Sequence, residues 1–323
     1  MKRRDFVAGL GAAAMWPLAA HAQHPVKMPR VVYLSPADIP AQVDSYRAQL
    51  RELGYVDGRN IIVEFRNAGG FVDRLPALAE EIVRQGGVDA ILAISAPAAL
   101  AARGATQTIP IVAFTAVDPV TSGLAQSLAH PGGNVTGIAV FSEETTVKRI
   151  ELMREVVPRA VRLAAVITNV SKVAQDLGAI SEVGRKLGFE VAIVNVDDHA
   201  DLAKALSPEV AGGCDAFVFI PDIVLSARKA EIIKLIGLTN KPAIFPAPDW
   251  VAAGGLMSFG PDFTDGGRYL VAQLDRVLKG EKPGDLPFVR PTKFDFRVNL
   301  RTAQTMGIEL SPTLLARADE VIE

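Results

Sequence analysis

The chain is poor in the residues that most often carry chemistry: one Cys and four His among 323 residues. A single Cys excludes a disulfide framework and a cysteine-based zinc site, and four His leave little for a histidine metal site or a triad. No G-x-S-x-G elbow, P-loop or H-E-x-x-H run occurs. Excess basic charge is lacking too. With 34 Lys and Arg against 36 Asp and Glu, the chain has no surplus for clustering on a nucleic-acid face. What remains is an ordinary globular composition, 49% hydrophobic and 22% charged. That length suits roughly two domains of about 150 residues, each able to bury a core.

The first residues read as an address. Lys2, Arg3 and Arg4 form a basic head, the apolar stretch Val7 to Ala20 follows, and Ala20-His21-Ala22 has the small-x-small pattern of a cleavage site. The stretch is shorter than the about 20 apolar residues of a membrane span. The pair Arg3-Arg4 before Asp5 and Phe6 resembles a twin-arginine signal, the alternative being a general secretory signal that carries two arginines. Cleavage after residue 22 removes three basic residues and one acidic residue and leaves a net charge of −4. Gly9-x-Gly11-x-x-Ala14 mimics a dinucleotide fingerprint, but no strand precedes it and it lies in the cleaved segment. Cys214 stands just before an apolar run, where burial is expected.

From Arg30 onward, apolar runs alternate with helix-period segments. Strands are expected at Arg30–Ser35, Ile61–Asn67, Ala90–Ser95 and Ile111–Thr115, with helices at Gln42–Leu53, Leu75–Gln85 and Ala98–Thr106. Val43, Tyr46, Leu50 and Leu53 recur at helical spacing, while runs such as AILAIS suit strands covered on both faces. After the turn cluster Pro131-Gly132-Gly133-Asn134 and the extended run Val135–Phe141, the pattern restarts. Strands are expected at Leu163–Thr168, Glu190–Val196, Ala216–Ile220 and Ala243–Pro246, and helices at Val173–Leu187, Asp201–Val210 and Arg228–Thr239. An extended run Gly255–Gly260, a helix Asp265–Leu278, a strand Lys293–Leu300 and a last helix near Thr302 follow.

This order predicts an α/β fold of two doubly wound parallel-sheet lobes joined by a multi-stranded hinge. Residues 30–141 plus 260–280 form one lobe and 142–259 plus 288–323 the other. In such sheets ligands bind beyond the carboxyl ends of the strands. Candidate ligand residues are therefore Ser35, Ser95, Thr115 and Asp118 in the first half, and Asn169, Asp222 and Asp249 in the second. Ser95 is equally suited to cap the helix that follows it, Asp118 to cap the turn before Pro119, and Asp222 to start a helix. Phe141, Trp250 and Phe259 stand near the crossings, where they either sandwich an apolar ligand body or fill the hinge and core.

Pro131-Gly-Gly-Asn-Val-Thr-Gly137 after Asp118-Pro119 resembles the ABC-transporter substrate-binding proteins of the tryptophan/tyrosine-uptake type. So do Glu52-Leu-Gly-Tyr-Val-Asp-Gly58, Asp73-Arg-Leu-Pro-Ala-Leu-Ala79, Gly254-Gly-Leu-Met-Ser258 and Leu315-Ala-Arg-Ala-Asp-Glu320. The resemblance implies a periplasmic-binding-protein fold of type I: a soluble monomer without cofactor that captures a small ligand between its lobes and delivers it to a membrane permease. By position it carries ligand contacts onto Asp118, Asn169, Asp222 and Ala247. Asn169-Val170-Ser171 is less polar than this loop often is in the family, and Ala247 replaces the polar residue of some members. The expected ligand is a small carboxylated or amino-acid-like molecule with an apolar body. A periplasmic sensor feeding a membrane receptor is the alternative, and an enzyme on the same lobes a more remote one.

Overall fold

The computed structural model describes residues 28–140, 143–174, 177–196, 202–207, 213–261 and 263–323. The expected signal segment and Phe141 lie outside them.

The first sheet is built from β1 (Arg30–Ser35), β2 (Ile62–Asn67), β3 (Ala90–Ile94), β4 (Ile111–Thr115) and β5 (Val135–Ala139). The strands are parallel and ordered β2-β1-β3-β4-β5, a doubly wound arrangement. Alternation along β1 sends Val31 and Tyr33 to one face and Val32 and Leu34 to the other. The first face is covered by α1 (Pro40–Glu52), through Tyr46 and Leu50, and by a late helix whose Leu270, Val271 and Leu274 join the same cluster. The second face is covered by α2 (Leu75–Gln85) and α3 (Ala96–Ala105), which present Leu75, Ala79, Ile82, Ala98 and Ala102. With both faces covered, every residue of β3 and β5 is buried. That is why these strands read as continuous apolar runs.

The second sheet repeats the winding. It holds β6 (Arg162–Ile167), β7 (Glu190–Asn195), β8 (Ala216–Phe219), β9 (Ala243–Phe245), β10 (Met257–Pro261), β11 (Phe294–Asn299) and β12 (Glu320–Ile322). The order is β12-β11-β10-β9-β8-β6-β7, so β7-β6-β8-β9-β10 copies the first sheet and two strands extend it. β11 runs antiparallel to β10, so this sheet is mixed where an all-parallel one is expected from the alternation. β12 pairs parallel to β11.

The helices of this half are α4 (Glu143–Val156), α5 (Asn169–Ala174), α6 (Leu177–Lys186), α7 (Leu202–Ala205), α8 (Ile223–Ala227), α9 (Lys229–Thr239) and α10 (Pro248–Ala252). α11 (Phe263–Leu278) is the late helix on the first sheet, and α12 (Leu300–Thr305) and α13 (Pro312–Leu315) close the chain. The single expected helix Val173–Leu187 is two, α5 and α6. α4, α8, α10, α13 and β12 are additions to the sequence reading. α4 is amphipathic, with Ile150, Met153 and Val156 buried at spacings of three. The short helices carry too few turns for a periodic signal.

The chain passes between the lobes three times: from β5 into α4, from β10 into α11, and from Val289 to β11. Val289 pairs with the edge of the first sheet before the last passage, its N–H donating to the Gly137 carbonyl and its carbonyl accepting from Ala139, each at 2.9 Å. Among the described residues no helix is long and apolar enough to cross a membrane.

Candidate functional site

The two sheets point the carboxyl ends of their strands at a shared cleft of about 880 Å³. Its first wall is the loop and opening turns of α1 (Asp38 to Gln42, then Ser45, Tyr46 and Gln49), the start of α3 (Ser95 to Pro97), and Phe114 and Ala116. The second wall comes from Val170 and Ser171, from Pro221 to Ile223, from Ser226, Ala227, Lys229 and Ala230, and from Pro246 to Asp249. Most of these side chains are apolar, and the polar ones gather at helix starts, the usual composition of a small-molecule site. Elsewhere the lobes touch. Val170 and Val224 of the second lobe belong to the first lobe's core cluster, and Gly69, Gly70 and Phe71 face Thr168, Asn169 and Arg228 across a small void.

Ser95 lines the cleft at the end of β3. Its hydroxyl accepts from the Ala98 N–H at 3.3 Å, so it caps α3. Its backbone is at φ 112° and ψ 159°, a region that essentially only Gly occupies and that costs about 1–3 kcal/mol for other residues. The strain is fixed from both sides: the Ser95 N–H donates to the Phe114 carbonyl at 2.9 Å, and its own carbonyl accepts from Ala99 at 3.0 Å.

Asp222 lines the facing wall and caps α8. One carboxylate oxygen accepts from the Val224 and Leu225 N–H groups at 2.8 and 3.2 Å, the other from the Thr168 hydroxyl at 2.5 Å and the Ser171 N–H at 3.1 Å. Four acceptor positions are what a carboxylate offers, and all four are occupied by the protein. Its charge reaches the cleft, but its lone pairs are committed to holding α5 and α8 together.

The remaining sequence candidates divide. Ala247 and Asp249 line the cleft, and Asp249 forms an ion pair with Lys229. Ser35 and Thr115 are turned away from it. The Ser35 hydroxyl donates to the Ala37 carbonyl and accepts from its N–H, at 2.8 and 3.2 Å, and the Thr115 hydroxyl accepts from Val117 at 3.1 Å. Both are at most 1% exposed and set the turns that leave their strands. Asp118 stands outside the cleft walls, accepting from the Val120 N–H at 2.8 Å, the turn-capping alternative. Asn169 borders the small void and accepts from the Asn195 side chain at 3.3 Å.

Trp250 is 1% exposed and stacked on Phe245 with centroids 4.9 Å apart, so it fills the core. Phe259 is half-buried and stacks on Phe294 at 6.0 Å.

Sequence reasoning missed the contribution of α1 and α9. Gln42, Ser45 and Gln49 follow one another at spacings of three and four, a polar stripe on one face of α1 that the same periodicity reveals once a cleft is known to face it. Tyr46 reaches the wall from the same helix. Burial pushes its phenol pKa up, so it stays a neutral hydroxyl, and it accepts from Gln42 at 3.3 Å. No group of three His, Cys, Asp or Glu suited to a metal exists among the described residues.

A family model described as ABC transporter substrate binding protein matches residues 31–322. A tyrosine-binding protein of Clostridioides difficile is 30% identical over 264 residues, covering 80% of this chain and 74% of that protein. Among solved structures, an ABC domain in complex with L-Trp from Streptococcus pneumonia has a TM-score of 0.77 at 24% identity, with 90% of this chain and all of that one covered. The ligand-free, open structure of a substrate binding protein with adhesive properties from Clostridium difficile has a TM-score of 0.58, also at 24% identity, covering 91% and 99%.

Proposed function

The chain belongs to the family of ABC transporter substrate binding proteins, and from that premise we propose that it captures a small amino-acid-like ligand with an apolar or aromatic body. The observation that carries this reading is the cleft itself: a mainly apolar chamber between two hinged lobes, with polar groups set at helix starts and along one face of α1. The tyrosine-binding relative and the L-Trp complex support the ligand class. The lobe contacts through Val170 and Val224, and the greater similarity to the ligand-bound structure than to the open one, support a resting geometry close to the closed form.

Capture then proceeds by hinge bending. The three passages act as a flexible joint, and the ligand adds contacts that both lobes share only when drawn together. Closure of the second lobe on a bound ligand presents a new outline to the permease, which receives the solute. Binding is not followed by turnover. The protein acts outside the cytoplasm as a monomer, sent to the periplasm by the twin-arginine head and the cleavage site at Ala22.

Titration calorimetry of the refolded, ligand-stripped protein against amino acids tests the reading. Saturable heat with aromatic amino acids and none with sugars is expected, and a sugar that binds where every amino acid is silent would overturn it. Replacing Arg3 and Arg4 together by Lys should trap precursor in the cytoplasm. Unchanged export in a cell fractionation would assign the segment to the general secretory route.

A further inference from the structure

Five charged side chains face the cleft among the described residues: Asp38, Asp222, Lys229, Asp249 and Arg297. They are not equally available. Asp222 has its four acceptor positions filled. Arg297 is held by Asp295, with contacts of 2.9 to 3.1 Å, and by Glu320. Lys229 gives one contact to Asp249 and, as an ammonium with three donors, has two left. Asp38 makes no hydrogen bond or ion pair and is exposed.

The loop that presents Asp38 is nevertheless fixed. The Ser35 hydroxyl holds Ala37 from both sides, and the Gly70 N–H donates to the Pro36 carbonyl at 2.7 Å. The backbone that carries the carboxylate is therefore held at a set place on the first wall of the cleft whose second wall carries the Lys229–Asp249 pair. Two carboxylates and one ammonium leave the available charge at −1. The rest of the wall is too apolar to hold a bare charge without a partner.

We propose that the ligand is read as a zwitterion by these three groups: its ammonium by Asp38 together with Asp249, and its carboxylate by the spare donors of Lys229. This deepens the amino-acid reading given above and rests on it. The ammonium is the obligatory handle, because an acid lacking it adds negative charge to a cleft already negative. Asp38 and Asp249 also belong to different lobes. The empty cleft sets like charges against each other across the gap, and one ammonium between them links the lobes. Charge recognition and closure are then the same event.

The test uses calorimetry on the full mature chain with two ligand series: tyrosine, tyramine and hydroxyphenylpropanoate, and the corresponding indole compounds. Wild type should bind the amino acid best, the amine next and the acid least. Asp38→Asn should weaken amino acid and amine by at least about tenfold and leave the acid bound at least as well as before. Lys229→Met should weaken the amino acid by about tenfold without weakening the amine, and Lys229→Arg should restore most of that loss. Thermal melts of each variant confirm folding. Wild-type affinity for the amino acid in both Asp38→Asn and Lys229→Met overturns the assignment, as does an acid that binds wild type better than the amine. Silence of wild type toward every amino acid overturns the amino-acid reading itself, an outcome distinct from binding that the variants leave untouched.

Discussion

The loops that follow the third-position strand of each lobe, β3 and β8, occupy equivalent places in two sheets of the same order, yet they solve one problem differently. Ser95 and Asp222 both cap a helix and both face the cleft. Ser95 is neutral and sits on a strained backbone. Asp222 has a relaxed extended backbone, φ −153° and ψ 129°, and ties in the loop after β6 as well. The first lobe stores conformational strain at its ligand face, and the second stores a satisfied charge. Duplicated topology fixes where polar groups stand, and the local side chains decide whether they are free to act.

The sharpest way to break this comparison is through the fifth strands, where both lobes rely on a missing side chain. A Cβ on Gly137, whose φ is 145°, would run into the Ala113 backbone, and one on Gly260 into the Pro246 carbonyl. Gly137→Ala and Gly260→Ala should each lower stability by about 3 kcal/mol or more in urea unfolding, with Gly137 the worse because its conformation is also unsuited to alanine. Near-wild-type behaviour of either would show that the strands shift apart at little cost.

Asp222→Ala should cost about 2 kcal/mol or more, since it strips partners from a buried hydroxyl and three N–H groups. Ser95→Gly should go the other way and raise stability by up to about 1 kcal/mol. It exchanges a cap worth a few tenths over Gly, and the entropy of a more flexible residue, for release of the strain. A loss at Ser95 would place the capping bond above the strain and remove the asymmetry between the lobes. The weakest effect is expected from Glu155→Gln. Its 3.1 Å contact with Arg317 joins α4 to the C-terminal tail of the second lobe, but both side chains are about two-fifths exposed. A change below about 0.5 kcal/mol in thermal denaturation is expected, and more would mean the tail is fastened by charge as well as by Leu314.

Most of the fold was legible because burial on both faces of a parallel sheet leaves apolar runs that no loop imitates. The β1 and β4 bounds coincide with the expected ones, and the other expected strands of the two doubly wound sheets shift by a residue or two. The reversal of β11 was not legible. Phe294, Phe296 and Val298 alternate identically whichever way the strand runs, so direction is set by the passage of the chain and not by the side chains. The site was half legible. Strand-end position located Ser95, Asp222 and Asp249 on the cleft walls, and the family resemblance added Ala247, but position could not separate them from Ser35 and Thr115, whose hydroxyls turn back on their own loops. Lys229 lay hidden because its role depends on the neighbouring start of α10, twenty residues further along.

The chain's one thiol, at Cys214, is 6% exposed, and burial raises its pKa. The native protein is accordingly close to silent toward alkylating reagents in neutral buffer. A cysteine introduced at the exposed Ser45 on the rim of α1 would then be labelled alone, without first removing the native one. An environment-sensitive dye at that place would sit beside the lobe boundary, and its colour would report the closing of the jaws in real time.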